Sequence, residues 1–215
     1  MDGLCEDIAG MMVVSDKTVE LGKRFCNEYV KFSHDNNWDE RHKKLTAGNP
    51  PSLDDLRKLW RTESQDIANA MHICTKMFIL KHALDAIDGP ETDYWPSFFE
   101  RYFNPDGSAD VVGEMDKIHY PRLNDIENQI ILRLAMLEHT RWNAAHELMG
   151  YRYSETSTSC DERTMMHNCL CPWDNLDKKS EDSSSPDWKC DYKKYDFLVI
   201  DTTLAIFKEE KDKQL

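Results

Sequence analysis

Between residues 15 and 45 apolar side chains at Val19, Leu21, Phe25, Tyr29, Val30 and Phe32 are mixed with charges at helical spacing, and Ser15 or Asp16 offers an N-cap. This pattern predicts one amphipathic helix. Thr46-Ala-Gly-Asn-Pro-Pro51 ends it, because each proline removes a donor and pushes the residue before it out of the α region. A second helical pattern opens at Ser52-Leu-Asp-Asp55, a cap followed by acidic first-turn residues, with one break allowed before Leu84. In its later part Ile67, Met71, Cys74 and Phe78 recur at three- and four-residue steps and predict a buried stripe. Gly89-Pro90 closes it.

Tyr94, Trp95, Phe98, Phe99, Tyr102 and Phe103 follow in a short segment that ends at Asn104-Pro-Asp-Gly107. A base-stacking platform would need basic neighbours, and only Arg101 is near, so the segment reads as a packed connecting helix. Leu123 to Met149 predicts a second long helix closed by Gly150, which takes positive φ at C′ without strain. Tyr151-Arg-Tyr153 reads as a short strand. Residues 154–190 are rich in Ser, Thr, Asp and Cys, with Ser180 to Pro186 as a flexible tip. Asp191 to Lys208 returns to helix, with Tyr195, Leu198, Val199, Thr202, Leu204 and Ile206 as inward candidates. The fold class expected is mainly α: packed antiparallel helices with a few short β-strands.

Composition narrows the partners. At 215 residues, with 40% hydrophobic and 31% charged side chains, the chain is long enough for one good core or a core with a helical subdomain. The formal net charge of −13 repels phosphate backbones at long range, so no nucleic-acid polymer is expected, although a local basic pocket can still hold a small anion. No run approaches the ~20 apolar residues of a membrane span. The start, MDGLCEDIAG, lacks the basic and apolar regions of a signal peptide, and a cytoplasmic location is the expectation. The seven cysteines are odd in number and mostly scattered, which favours reduced thiols. Cys160, His167, Cys169, Cys171 and Cys190 contain only one close pair, Cys169-Leu-Cys171, which does not match zinc-hook spacing. An EF-hand loop is missing as well, and the expectation is no metal and no other cofactor.

The helix before Gly150 carries the strongest signal. On a helical wheel Leu134, Trp142, Ala145 and Met149 share one arc, and Glu138 and Arg141 lie inside it. A carboxylate on a buried face is costly unless paired, and Arg141 three residues on is within reach. Two readings stand. In one, the pair is a buried salt bridge that fixes helix packing. In the other, Arg141 offers its planar fork to a carboxylate or phosphate while Glu138 orients it. His139 and His146 flank the arc, but their seven-residue separation does not match the H-E-x-x-H metal motif. With no G-x-S-x-G, Walker loop or Rossmann glycine fingerprint in the chain, no enzyme is expected.

Leu134-Ala-Met-Leu-Glu-His-Thr-Arg-Trp142, Gly150-Tyr-Arg-Tyr153, His167, Cys171-Pro-Trp-Asp174 and Lys194-Tyr-Asp196 resemble, in order, the successive parts of the ryanodine-receptor (RyR) repeat domain, over roughly residues 125 to 205. Upstream, Arg61 to Ile73 with Lys76 is similar to the helix that precedes such domains in bacterial proteins, where a serine, a histidine and a lysine recur at this spacing. The nucleotide-binding domain often fused before that helix has no counterpart here. The expected division is an N-terminal helical extension (1–50), which the resemblance does not cover, a helical segment packing on the RyR-like domain (51–122), that domain (123–207) and a charged tail (208–215). The resemblance implies a regulatory module related to ion-channel control or nucleotide sensing. The exact ligand does not carry over residue by residue; the sensing reading expects His72, Lys76, Glu138, His139, Arg141, Trp142, Tyr151, His167 and Trp173 to line a pocket between the two long helices that holds a small anionic, nucleotide-like molecule. The other reading is a ligand-free scaffold or channel-associated domain that binds a protein partner, which an exposed apolar patch would favour.

Overall fold

A computed structural model describes residues 15–35, 64–89, 93–114, 117–155, 160–161, 164–183 and 191–213. Within them the chain is mainly α with a few short strands. Helix α1 (Asp16–Asp35) begins where Ser15 caps it, its Oγ accepting from the backbone N–H of Thr18 at 3.1 Å. Helices α2 (Ser64–Met71) and α3 (Ile73–Asp88) meet at His72, a residue with φ −92° and ψ 2° that forms the break allowed for in this stretch. The predicted stop at residues 46–51 and the cap at 52–55 lie outside the described residues.

The aromatic segment forms α4 (Trp95–Tyr102), and all six of its predicted aromatics are buried. They stack on one another and on Phe207, and Tyr102 lies 4.4 Å from Tyr120, ring to ring. The hydroxyls of Tyr102 and Tyr120 both donate to Oδ1 of Asp201, each at 2.6 Å. Helix α5 (Asp125–Leu148) opens with a full capping box: Asn124 accepts from the N–H groups of Ile126 and Glu127, and Glu127 accepts from the N–H of Asn124. Gly150, at φ +96°, ends it as expected and turns the chain into β1 (Arg152–Tyr153). With β2 (Cys160–Asp161) and β3 (Met166–His167) it makes a small sheet of order β1-β3-β2, in which β1 runs parallel and β2 antiparallel to β3. A 3₁₀ turn (Trp173–Asn175), α6 (Leu176–Ser183) and α7 (Lys193–Asp212) complete the described chain.

One hydrophobic core joins Phe25 of α1, Ala70 of α2, Ile73, Met77, Leu80 and Leu84 of α3, the α4 aromatics, Ile131 and Leu134 of α5, and Phe197, Ile200 and Leu204 of α7. Three expectations are corrected here. The buried stripe of α2 and α3 is not Ile67, Met71, Cys74 and Phe78: Met71 and Phe78 are 55% and 56% exposed, and the core positions fall one residue earlier. One residue is 100° of helix, enough to exchange a core face for a surface face. Ser180 to Ser183 are not part of a flexible tip. They end α6, where the fully buried Ser180 hydroxyl donates to the carbonyl of Leu176 and accepts from the N–H of Tyr192. On α7 the inward set includes Lys193, Asp196, Phe197, Ile200 and Thr203, whereas Tyr195, Leu198 and Val199 are only partly covered.

Candidate functional site

Glu138 sits near the middle of α5, 2% exposed, where an unpaired carboxylate would cost several kcal/mol. Arg141, one turn on, meets it side-on: Nε donates to Oε2 at 2.9 Å and Nη2 to Oε1 at 2.6 Å. Lys76 of α3, 7% exposed, brings Nζ to 3.0 Å from Oε2. Burial pushes the Glu138 carboxyl up, but the hydrogen bonds from Arg141 and the charge of Lys76 outweigh it, and the group is held below its ordinary value. The Lys76 ammonium is pushed down by burial and only partly restored by Glu138. Its ion pair is poorly directed, leaving Nζ without a well-formed hydrogen bond. Arg141 Nη2 also donates to Oδ1 of Asn69 in α2 at 2.6 Å, while Nη1 makes none of these bonds.

One residue round the helix, His139 uses both ring nitrogens. Nε2 hydrogen-bonds the carbonyl of Cys171 at 2.8 Å, and Nδ1 lies 3.3 Å from Oδ2 of Asp196 in α7. Burial works against an imidazolium here, but the hydrogen bonds to Asp196 and Cys171 prevail and raise the His139 pKa to about 10. Asp196 is pushed up to about 6 by burial, against the pull of His139. At neutral pH the pair is therefore ionic. Lys76, Arg141 and His139 then face Glu138 and Asp196, which leaves these five groups with one positive charge in excess.

Trp142 forms the wall between the charged half and a ring cluster. Its indole lies 4.0 Å from His146, 4.8 Å from His167 and 5.9 Å from His139, centroid to centroid, and its Nε1 donates to Gln65 of α2 at 3.3 Å. Tyr151 packs on His146 at 5.2 Å, and Trp173 packs on His139 at 6.0 Å and beneath Lys193 at 5.2 Å. His146 and His139 are both buried rather than edge residues. Burial lowers the His146 pKa. Burial with the neighbouring His146 and His139 lowers that of His167 to about 3, and its Nδ1 accepts from the N–H of Cys169 at 3.1 Å. His72 is exposed at the α2–α3 joint and is lowered by partial burial, then by Arg141 and Lys76.

The structure thus places His72, Lys76, Glu138 and Arg141 in one charge cluster and His139, Trp142, Tyr151, His167 and Trp173 in the adjoining ring cluster. Five participants lie outside the expected binding set: Gln65, Asn69, Asn143, His146 and Asp196. Asn143 donates Nδ2 to the Cys171 carbonyl at 3.0 Å and leaves a buried Oδ1 without a donor. Asp196 had a signal, as the last residue of the Lys194-Tyr-Asp196 motif; the two α2 amides had none beyond lying in the segment before the domain. Among the described residues no group of three His, Cys, Asp or Glu side chains is placed to hold a metal ion, and no helix is long and apolar enough to cross a membrane. Cys190 of the cysteine cluster lies outside the described residues; Cys169 and Cys171 are buried, and the Cys169 thiol donates to Oδ1 of Asn168 at 3.2 Å. Comparison with protein-family models, with curated proteins and with solved structures returns no match to this chain.

Proposed function

We propose that the chain is an RyR-type binding module that senses a small anion, of the nucleotide or nucleotide-derived kind, at the Arg141–Lys76 cluster beside Trp142. The observation that carries this reading is the pair of incompletely used cations. Glu138 engages the Nε–Nη2 side of the Arg141 guanidinium, and at the opposite end Nη1 makes none of these bonds while the second Nη2 hydrogen is held by the neutral amide oxygen of Asn69, so a phosphate or carboxylate that displaces Asn69 gains a planar fork. Lys76 adds an ammonium with donors to spare, and the local charge excess favours an anion. The ring cluster of Trp142, His146 and His167 adds a surface for a planar group. Support also comes from the motif parts that resemble the RyR repeat: the helix of Glu138 and Arg141, Tyr151, His167, Trp173 and Asp196 are dispersed over some sixty residues yet touch one another in series. We read the module as one that binds rather than one that catalyses, and His139 fits that reading, with Nε2 on the Cys171 carbonyl and Nδ1 on Asp196.

A thermal-shift screen of the whole chain against mononucleotides, cyclic nucleotides, ADP-ribose derivatives and inorganic phosphate tests the proposal. A ligand at 100 times its Kd stabilises by about 2.7 kcal/mol, which is about 5–10 °C in a chain of this length. The shift disappears in Arg141→Lys, which keeps the charge and loses the fork. No shift across the panel refutes the sensor reading.

One observation favours the second reading, a ligand-free scaffold for a protein partner. Met71, Phe78 and Ile79 form an exposed apolar face on α2 and α3. If the panel is silent, that face is where a partner should be sought.

A further inference from the structure

Arg141 does more than pair with Glu138, because its guanidinium ties two helices together. Nη2 has two hydrogens. The one on the Nε side goes to Glu138, and the one on the Nη1 side goes to Oδ1 of Asn69 in α2, 2.6 Å away. The neighbouring Trp142 holds the same helix through Nε1 to Gln65 at 3.3 Å. These two bonds join α2 to the two adjacent residues of α5 at the candidate site. An oxyanion that takes the end-on fork of Arg141 in two parallel hydrogen bonds needs Nη1 and the Nη2 hydrogen that Asn69 now holds. A charged acceptor outcompetes a neutral amide oxygen for that hydrogen, since charge-assisted hydrogen bonds are roughly twice as strong.

We infer that anion binding displaces Asn69 from Arg141 and loosens α2, so that α2 is the element through which occupancy of the site is reported. This rests on the anion reading of Arg141 given above. Asn69 is a positioning residue: in the empty site it holds the fork ready and satisfied, and it competes with the ligand. Linkage requires the converse, that loosening α2 tightens anion binding by the same factor. The release is partial, because Gln65 keeps its bond to Trp142 and Ala70 stays in the core. Helix α1 stands next in line. It packs on α2 with Gly22 against Ile67, and it is tied in turn to α7 by the Arg24–Glu209 double hydrogen bond at 2.6 Å.

Hydrogen exchange of the full chain, with inorganic phosphate as the probe and chloride at equal ionic strength as the control, tests this. Saturating phosphate should speed exchange across residues 64–71 about fivefold, the worth of one net hydrogen bond, while α7 stays unchanged. In Asn69→Ala, exchange of α2 should already be fast without phosphate, and phosphate should bind about fivefold tighter. In Asn69→Asp, the added charge should hold Arg141, slow α2 and weaken phosphate binding. Phosphate binding that leaves α2 unchanged or slower, or Asn69→Ala binding no tighter than wild type, overturns the inference and leaves the anion site standing. Phosphate that binds none of the three proteins overturns the anion reading and this inference with it.

Discussion

Replacing Glu138 by Gln keeps the shape of the side chain and removes one charge from the cluster. In the native arrangement the buried carboxylate answers Arg141 and Lys76 together. With an amide there, Lys76, Arg141 and His139 face Asp196 alone, and the local excess rises from one positive charge to two. Lys76 suffers most, because it is buried and Glu138 is the one ion-pair partner it has among the described residues. Breaking a buried pair from one side costs about 3–5 kcal/mol, which at 2–4 °C per kcal/mol for a chain of this size is about 10 °C in Tm. Denaturant titration at pH 7 and pH 9.5 measures it. The sign of the pH effect follows from Lys76. With its partner gone its folded pKa falls further below 10.5, the unfolded state binds more protons, and the variant regains stability as pH rises. Adding Lys76→Met to Glu138→Gln removes the stranded charge, so the double variant should be more stable than Glu138→Gln alone. A loss under about 1 kcal/mol for Glu138→Gln, or no recovery in the double variant, would refute the view that Glu138 is held in place by its two cations.

The His139–Asp196 pair gives the wild type an alkaline limit: His139 is raised from 6.5 to about 10, so its contribution is full below pH 6.5 and is lost as pH rises through 10. Thermal melts between pH 7 and 10.5 should show a decline that His139→Asn flattens. Asp201 behaves in the opposite range. Burial raises it from 3.8 to about 6 against the two tyrosine hydrogen bonds, so the folded state favours the protonated acid and stability falls as pH climbs from 4 to 6, by up to about 3 kcal/mol. Asp201→Asn keeps an acceptor for Tyr102 and Tyr120, and urea titrations at pH 4.5 and 7 should show the slope reduced. On α3, Leu80→Ala should cost about 2–5 kcal/mol, whereas Phe78→Ser should stay within about 0.5 kcal/mol; similar losses for both would contradict the observed face. Gly113→Ala should be strongly destabilising in the same assay, because φ is +91° and a Cβ would meet the Lys117 carbonyl oxygen at 2.1 Å.

What could be read from the chain and what could not divide along a physical line. Helix α1, the aromatic α4 and the α5–Gly150–β1 corner were legible because in each the local preferences agree: caps where helices start, glycine where φ is positive, aromatics all inward. The Glu138–Arg141 pair was legible for the opposite reason. Two charges fell on an apolar arc, and only pairing could explain them.

The misplaced faces have a common cause. On α2 and α3 the buried side carries Asp66, Asn69 and Lys76 among Ala70, Ile73, Met77, Leu80 and Leu84. A reading that sends polar residues to solvent turns that side outward and selects Met71 and Phe78 instead. On α7 the same rule hides Lys193 and Asp196, and at the end of α6 it turns the buried Ser180 into a loop residue. Asn69, Lys76 and Asp196 are the side chains that reach Arg141, Glu138 and His139. A packed core gains nothing from a buried ammonium and pays its desolvation. Conflicts between pattern and burial are expected where a sequence serves something besides folding, and here three helices carry them toward one cluster. That convergence is why the charge cluster is the part of the molecule to test for a ligand first, ahead of the exposed apolar face of α3.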